Sequence, residues 1–192
     1  NLDPLPGVQN EMDKISEFSE EPIKDEDFTR VNLQEKLESG EFSLVHMATH
    51  GNFSSNPEET FVVVHGPESE KDIGELLTAN DLNRLFRDRR LNGNNSVELL
   101  VLSACETAEG DRRAILGLAG LTVRAGTFST LATLWQVGDL STSVFMERFY
   151  DYLNAGNSKI EATHLAQKSL LSKYEYKNPY YWSPYILVGD WR

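Results

Sequence analysis

Strand-like and helix-like segments alternate from residue 41 onward, and this alternation constrains the fold more than any other feature. Short apolar runs predict strands over residues 42–49, 61–65, 97–104, 128–136 and 185–188. Helical spacing of apolar residues predicts helices from the capping residues 78–81 to about 90, and over 114–125, 142–155 and 159–171. This order favours a three-layer α/β/α sandwich with a mostly parallel central sheet, because crossover helices cover both sheet faces.

Polar residues and glycines at the predicted helix ends support these boundaries. Ser141 and Ser158 each precede a predicted helix, and a serine hydroxyl accepts a hydrogen bond from the first free N–H groups of a helix. Gly156 follows the first of these helices as a stop signal. The helix that ends near residue 90 carries four arginines, which we interpret as a solvated face rather than an exosite. They are Arg84, Arg87, Arg89 and Arg90.

Composition excludes several classes of function. The 192 residues include 18 Lys and Arg against 30 Asp and Glu, a net charge of −12, which disfavours binding to the phosphates of nucleic acid. The longest aliphatic runs have four residues, far fewer than the roughly 20 that a membrane span needs. The single cysteine cannot form an internal disulfide, which favours a reducing, cytoplasmic location.

The acidity is concentrated at the start of the chain. Residues 1–30 carry half of the net negative charge, and we interpret residues 1–40 as an acidic N-terminal segment that leads into a core of residues 41–192. One short amphipathic helix that carries Val8, Met12, Ile15 and Phe18 is compatible with this interpretation. An acidic docking tail is the alternative.

Two reactive side chains follow predicted parallel strands, His50 after the first and Cys105 after the third. Strands joined by a helical crossover run parallel, so their carboxyl ends meet at one sheet edge, where functional residues gather. A thiol and an imidazole suffice for acyl transfer, because the imidazole removes the thiol proton and later protonates the leaving amine. Gly51 is our candidate for a backbone N–H in an oxyanion hole. The alternatives are a buried structural cysteine and a hydrogen-bonded histidine.

The order of the two residues favours one class of cysteine enzyme. His50 precedes Cys105 by 55 residues, close to the roughly 50-residue separation of caspase-type enzymes and opposite to the papain order. A papain-like site would use His164, which we expect on the surface or half-buried in a helix. His46 and His50 match the H-x-x-x-H spacing of zinc sites, which requires a helix. Because this segment is predicted to be a strand, we predict no metal site.

Four ordered motifs resemble a known family. They are VHMATHG (45–51), LLVLSACETAEGDRRAILGLAGLTVRAG (99–126), STLATLWQVGD (129–139) and YYWSPYILVGDW (180–191). Together with the opening PLPGVQNEMDKIS they resemble the CHAT domain, a caspase-like module often attached to tetratricopeptide repeats in bacteria. The sequences of the motifs are especially similar to those of cyanobacterial members. The resemblance implies that the chain is the C-terminal part of a longer, multidomain protein.

The resemblance also implies an activity. It places the chain in a clan of cysteine endopeptidases with caspases, gingipains and separase, and it implies His50 as general base and acid and Cys105 as nucleophile. The N–H groups of Gly51 and Cys105 would form the oxyanion hole, and neither a metal nor another cofactor is needed. The expected partners are a protein or peptide substrate and tetratricopeptide-repeat domains in the same chain or a partner chain, with no nucleic acid or membrane.

The predicted substrate pocket draws on the segment LWQVGD, which resembles a separase segment in which an acidic residue lines the pocket for the residue before the cut. This implies Asp139 at the pocket, with Gln136 as the other polar position, and a preference for Arg or Lys. The alternative for Asp139 is the N-cap of a helix that begins at 141 or 142. Trp135 either forms a wall of the pocket or fills the core. Glu106 either steers a basic substrate or is only solvated. A non-cleaving regulatory or scaffold module is the second functional hypothesis.

Overall fold

A computed structural model provides the structure of the chain. It describes residues 12–13, 15, 23, 27–40, 42–54, 56, 58–66, 74–103, 106–107, 120, 122–123, 125–135 and 137–192, without the side chains of residues 53, 106, 107 and 139. The strands are β1 (Leu44–Met47), β2 (Gly51–Phe53), β3 (Phe61–Val64), β4 (Glu75–Thr78), β5 (Val97–Leu102), β6 (Glu106–Thr107), β7 (Thr127–Thr133) and β8 (Tyr185–Gly189). The α-helices are α1 (Arg30–Ser39), α2 (Ala79–Leu91), α3 (Asp139–Asn154), α4 (Lys159–Ser172) and α5 (Pro179–Trp182).

The central sheet has the strand order β1-β5-β7-β8. Strands β1, β5 and β7 run parallel, and β8 pairs antiparallel with β7. Met47 at the end of β1 lies opposite Leu102 at the end of β5, so the two strands end level with each other. Four of the five predicted strands therefore form this sheet, and the prediction of a mostly parallel sheet is confirmed; the strand predicted over 61–65 is β3, which belongs to another sheet.

Two apolar layers form on opposite faces of this sheet because successive side chains of a strand alternate between faces. Leu100 and Leu102 of β5 pack with residues of α1 and α2. Leu99 and Val101 of the same strand pack on the other side with residues of α3 and α4. The predicted three-layer α/β/α sandwich is confirmed.

A second four-stranded sheet, with the order β4-β3-β2-β6, was not predicted from the sequence. Its strands pair antiparallel except for β2 and β6, which run parallel. Strands β2 and β6 have three and two residues, so they are too short to show the alternation of apolar and polar residues by which strands are recognised. The segments that leave β1 and β5 in the central sheet both continue into this second sheet.

The helix starts follow the predicted capping chemistry at two of three positions. Thr78 and Ser158 each form a capping box, with Asp81 and Glu161 respectively. The prediction for Ser141 is wrong: α3 begins at Asp139, with Gly138 at the N-cap position. The Ser141 hydroxyl donates to the Gly138 carbonyl at 2.6 Å, so it bonds back along the first turn and does not cap the helix.

Two features of the helical layer differ from the sequence analysis. Helix α1 was not predicted, because only Leu33 and Leu37 of its ten residues are buried and the other side chains give little apolar periodicity. The prediction of a solvated face is wrong for Arg89, whose side chain is 1% exposed, although Arg84, Arg87 and Arg90 are exposed as predicted.

The N-termini of α1 and α2 are joined by an ion-pair cluster. The Arg30 guanidinium binds Glu75, and its Nη1 lies 3.1 Å from Oδ1 of Asp81. Asp81 also accepts hydrogen bonds from the Thr78 backbone N–H and hydroxyl at 3.0 and 2.6 Å. The hydrogen bond from Arg30 is the largest cause that lowers the pKa of Asp81, to about 2.

This lowered pKa predicts a pH-dependent loss of stability. Because the folded-state pKa of Asp81 lies below its unfolded value, its contribution of at most about 2 kcal/mol is present above about pH 4 and is lost as pH falls toward 2. Urea denaturation should show Asp81→Asn less stable than wild type at pH 7, with a deficit that falls to about a third of that size at pH 2.5. Asp88→Asn, a half-exposed carboxylate of the same helix, is the matched control. An Asp81→Asn deficit that does not change with pH would contradict the prediction.

No helix in the described part of the chain is both long and apolar enough to cross a membrane.

Candidate active site

His50 lies in the short link between β1 and β2, at the carboxyl end of the central sheet. Its backbone carbonyl accepts a hydrogen bond from the Val63 N–H of β3 at 2.8 Å. The neighbouring Thr49 hydroxyl donates to the Val63 carbonyl at 2.6 Å. Because both bonds converge on one residue of β3, the second sheet fixes the backbone from which the half-buried His50 side chain projects.

Gly51, the first residue of β2, is buried where two backbones approach closely. A Cβ atom at this position would lie 2.7 Å from the Phe61 carbonyl oxygen, so a side chain could not be added without moving β3. His50 and Val63 form a hydrogen-bonded pair of the antiparallel ladder, so the backbone groups of the next residue turn away from β3. The Gly51 N–H therefore points to the side of β2 on which β6 lies.

Cys105 lies outside the described residues, but the residues that flank it are anchored. Ser103 is buried, and its N–H donates to the Met47 carbonyl at the end of β1 at 3.1 Å. Glu106, in β6, pairs with Asn52 of β2. The chain on either side of Cys105 is thus attached to the chain on either side of the link that carries His50.

Trp135 lies two residues beyond the end of β7, on the opposite flank of β5 from β1. Its indole N–H donates to the Tyr180 carbonyl at 3.0 Å, and the two rings stack with centroids 6.4 Å apart. Among the described residues, neither core cluster includes Trp135, which is partly buried. Sequence reasoning missed Tyr180 as its partner, although the density of aromatic residues in the motif at 180–191 was a signal.

The remaining predicted pocket residues are placed only in part. Asp139 is the first residue of α3, which corrects the alternative that it is the N-cap of a helix starting at 141 or 142. Glu106 is in β6. Gln136 lies outside the described residues. The structure thus brings the backbones of Trp135 and Asp139 to the carboxyl end of β7, where the predicted pocket would be.

The other histidines of the sequence analysis lie away from this edge or have other partners. His164 is exposed on α4, as predicted. His46 is in β1, so the H-x-x-x-H segment is a strand and its link and not a helix. The His46 Nδ1 lies 2.7 Å from the Tyr150 hydroxyl, one hydrogen bond whose direction depends on the histidine tautomer.

A mostly parallel sheet between two helical layers, with a histidine at the carboxyl end of its first strand, is the architecture of a caspase-like sandwich. Comparison with models of protein families matches the CHAT domain over residues 1–190, so the chain belongs to the CHAT domain family, which is related to cysteine peptidases. A search of curated proteins found no matching relative.

Proposed function

We propose that the chain is a cysteine endopeptidase that cleaves protein substrates with a His50–Cys105 dyad. The observation that carries the proposal is that the segment with His50 and the segment with Cys105 are attached to each other at both ends. Before the two reactive residues, Ser103 bonds to Met47; after them, Glu106 pairs with Asn52. The described residues on either side of the two links are thus held next to each other. This favours hydrogen-bond reach between the two reactive side chains.

The proposed reaction is acyl transfer in two steps. His50 takes the thiol proton as the sulfur of Cys105 attacks the scissile carbonyl, and the N–H groups of Gly51 and Cys105 stabilise the oxyanion. The C–N bond then breaks, His50 protonates the leaving amine, and a thioester acyl-enzyme forms. Water activated by His50 hydrolyses the thioester and restores the thiol. The Gly51 N–H faces the side of β2 on which Glu106, the residue after Cys105, lies, and this supports its role in the scheme.

The proposed enzyme needs no metal or other cofactor, because the thiol is the nucleophile and the imidazole moves the protons. We place it in the cytoplasm, where a reducing environment keeps Cys105 as a thiol. We further propose that tetratricopeptide-repeat domains, in the same chain or a partner, regulate access of the substrate.

Cleavage of a fluorogenic peptide with Arg before the scissile bond tests the proposal. We expect turnover by the wild-type protein, assayed alone and in its natural full-length context, and loss of at least about 10³-fold in kcat/KM for Cys105→Ala. Circular dichroism of both proteins controls for folding. If neither wild type nor Cys105→Ala cleaved peptides or candidate partner proteins, the peptidase function would be overturned and the scaffold alternative would remain.

Substrate preference gives a separate prediction. If Asp139 receives the basic side chain before the cut, Asp139→Ala should lower kcat/KM for Arg and Lys peptides by at least about tenfold and leave a norleucine peptide within about twofold. A carboxylate in the first turn of α3 also stabilises the helix dipole, so a thermal melt must accompany the assay. Asp151→Ala, in the last turn of the same helix, is the matched control. An unchanged ratio of Arg to norleucine cleavage would exclude Asp139 from the pocket.

A further inference from the structure

A group of six aromatic residues, two exposed and four partly buried, lies at the same edge of the central sheet as the candidate active site. Two of the partly buried members, Tyr176 and Trp182, also pack against the core. No residue from 171 to 183 is buried, although this stretch contains five aromatic side chains, and Trp135 stacks on one of them. Tyr174 is 86% exposed and Tyr180 is 47% exposed. We call this group the aromatic patch; its members are Trp135, Tyr174, Tyr176, Tyr180, Tyr181 and Trp182. Clusters of aromatic side chains that reach the surface are typical of binding sites.

The position of the aromatic patch follows from the strand directions. Strand β8 runs antiparallel to β7, so the residues that precede β8 lie at the carboxyl end of β7. The Leu134 N–H donates to the Pro184 carbonyl at 3.0 Å and fixes the two segments side by side. The carboxyl end of β7 belongs to the same edge as the carboxyl ends of β1 and β5, where His50 and the residues that flank Cys105 lie. The aromatic patch therefore lies at the same edge of the central sheet as the candidate active site.

Four of the rings are linked by successive contacts. The centroid distances are 6.4 Å from Trp135 to Tyr180, 5.3 Å from Tyr180 to Tyr181, and 5.5 Å from Tyr181 to Tyr176. An extended peptide advances roughly 3.3 Å per residue, so these linked rings could contact substrate side chains over at most about five positions.

We propose that the aromatic patch is an extended subsite that binds an apolar or aromatic side chain of the peptide substrate several residues from the cleaved bond. This inference rests on the proposed peptidase function. Tyrosine and tryptophan offer a large apolar contact area with only two side-chain torsions to fix, so they bind a partner side chain at low entropic cost. The hydrogen bond from Trp135 to the Tyr180 carbonyl holds the first two rings in place before the substrate arrives.

Direct binding to a protein that cannot turn over tests the subsite. Two labelled peptides share one basic cleavage site; the first has Phe and Leu in the five positions on either side, and the second has Gly and Ser there. Fluorescence anisotropy with Cys105→Ala should show about tenfold tighter binding of the first peptide. Adding Tyr180→Ala or the fully exposed Tyr174→Ala should each reduce that advantage about threefold or more.

Trp191→Ala is the matched control, because Trp191 is 58% exposed but lies at the opposite end of α4. Its carbonyl accepts from the Ile160 N–H in the first turn of that helix, and fourteen helical residues, about 20 Å, separate that turn from the aromatic patch. The subsite would be overturned if the tighter binding of the Phe/Leu peptide persisted in both Tyr180→Ala and Tyr174→Ala. It would also be overturned if Trp191→Ala reduced that preference as much as the two tyrosine changes do.

Kinetics separate this inference from the proposed function. With the dyad intact, Tyr180→Ala should raise KM for the apolar-flanked peptide about tenfold, leave its kcat within about twofold, and leave the Gly/Ser peptide unaffected. Absence of turnover by the wild type, together with a Tyr180-dependent preference in the binding assay, would support the aromatic patch and overturn only the peptidase function. A change in oligomeric state with Tyr180→Ala would identify the patch as a self-contact and overturn the subsite.

Discussion

Replacing His50 by alanine is expected to lower kcat/KM on a cleavable peptide by about 10³-fold or more while leaving the folded state intact. The physical reason is that His50 serves twice in the proposed reaction, first by activating the thiol and then by protonating the leaving amine. The backbone bonds to Val63 that fix the link are made by the His50 carbonyl and the Thr49 hydroxyl, so removal of the imidazole leaves them in place. Steady-state kinetics with a thermal melt of each protein measures both quantities.

The matched control for His50 is His164, the histidine that a papain-like order would use. It is exposed on α4, so His164→Ala should change neither kcat/KM nor the melting temperature. The reverse result, with activity lost on His164→Ala and retained on His50→Ala, would overturn the dyad. A His50→Ala protein that keeps more than about a tenth of wild-type activity would also contradict it, because general acid–base catalysis alone contributes roughly 10² or more.

The central sheet could be predicted from the sequence because its strands are buried. Strands β5 and β7 have buried side chains at nearly every position. Strand β5 appears in the sequence as a mostly apolar run, and β7 is rich in threonine, which is common in strands. In the second sheet only β3, with the run FVVV, gives such a signal. Residues Gly51 to Phe53 pair with β3 through their backbone, and the need for glycine arises from the Phe61 carbonyl, a contact that no local pattern shows.

The candidate site could be predicted only as a set of strand ends. Chain order and the parallel direction of β1 and β5 suffice to bring His50 and the residues that flank Cys105 to one edge. The partner of Trp135 required the antiparallel return of β8, which brings Tyr180 to the same edge from 45 residues away. Contacts between segments so distant in sequence depend on topology, so residue type and spacing could not assign them.

The buried guanidinium of Arg89 predicts the largest effect on stability. It donates to the backbone carbonyls of Leu37, Gly40, Phe42 and Asn95, at 3.2 Å for Leu37 and 2.8 Å for Asn95. The Leu37 carbonyl is in the last turn of α1, where carbonyls lack partners within the helix and the helix dipole is negative. Arg89 therefore closes the end of α1 and holds the segment that leads into β1.

Arg89→Met keeps the aliphatic volume but removes every donor, so the buried carbonyls lose their partners. We expect a loss of about 3–4 kcal/mol in the free energy of unfolding, measured by urea denaturation. Arg89→Lys should recover only part of this, because one ammonium cannot reach carbonyls that a planar guanidinium spans. Arg87→Met, two positions away and 55% exposed, should stay within about 0.5 kcal/mol of wild type.

The Arg89 result also separates stability from catalysis. Arg89 lies near the C-terminal end of α2, which leads into the start of β5, whereas His50 lies beyond the far end of the neighbouring strand β1. Below the unfolding transition, the kcat/KM of Arg89→Met per folded molecule should therefore remain within about twofold of wild type. A stability within 1 kcal/mol of wild type would show that water replaces the guanidinium at these carbonyls, and the assignment of Arg89 as the clamp between α1 and β1 would then be wrong.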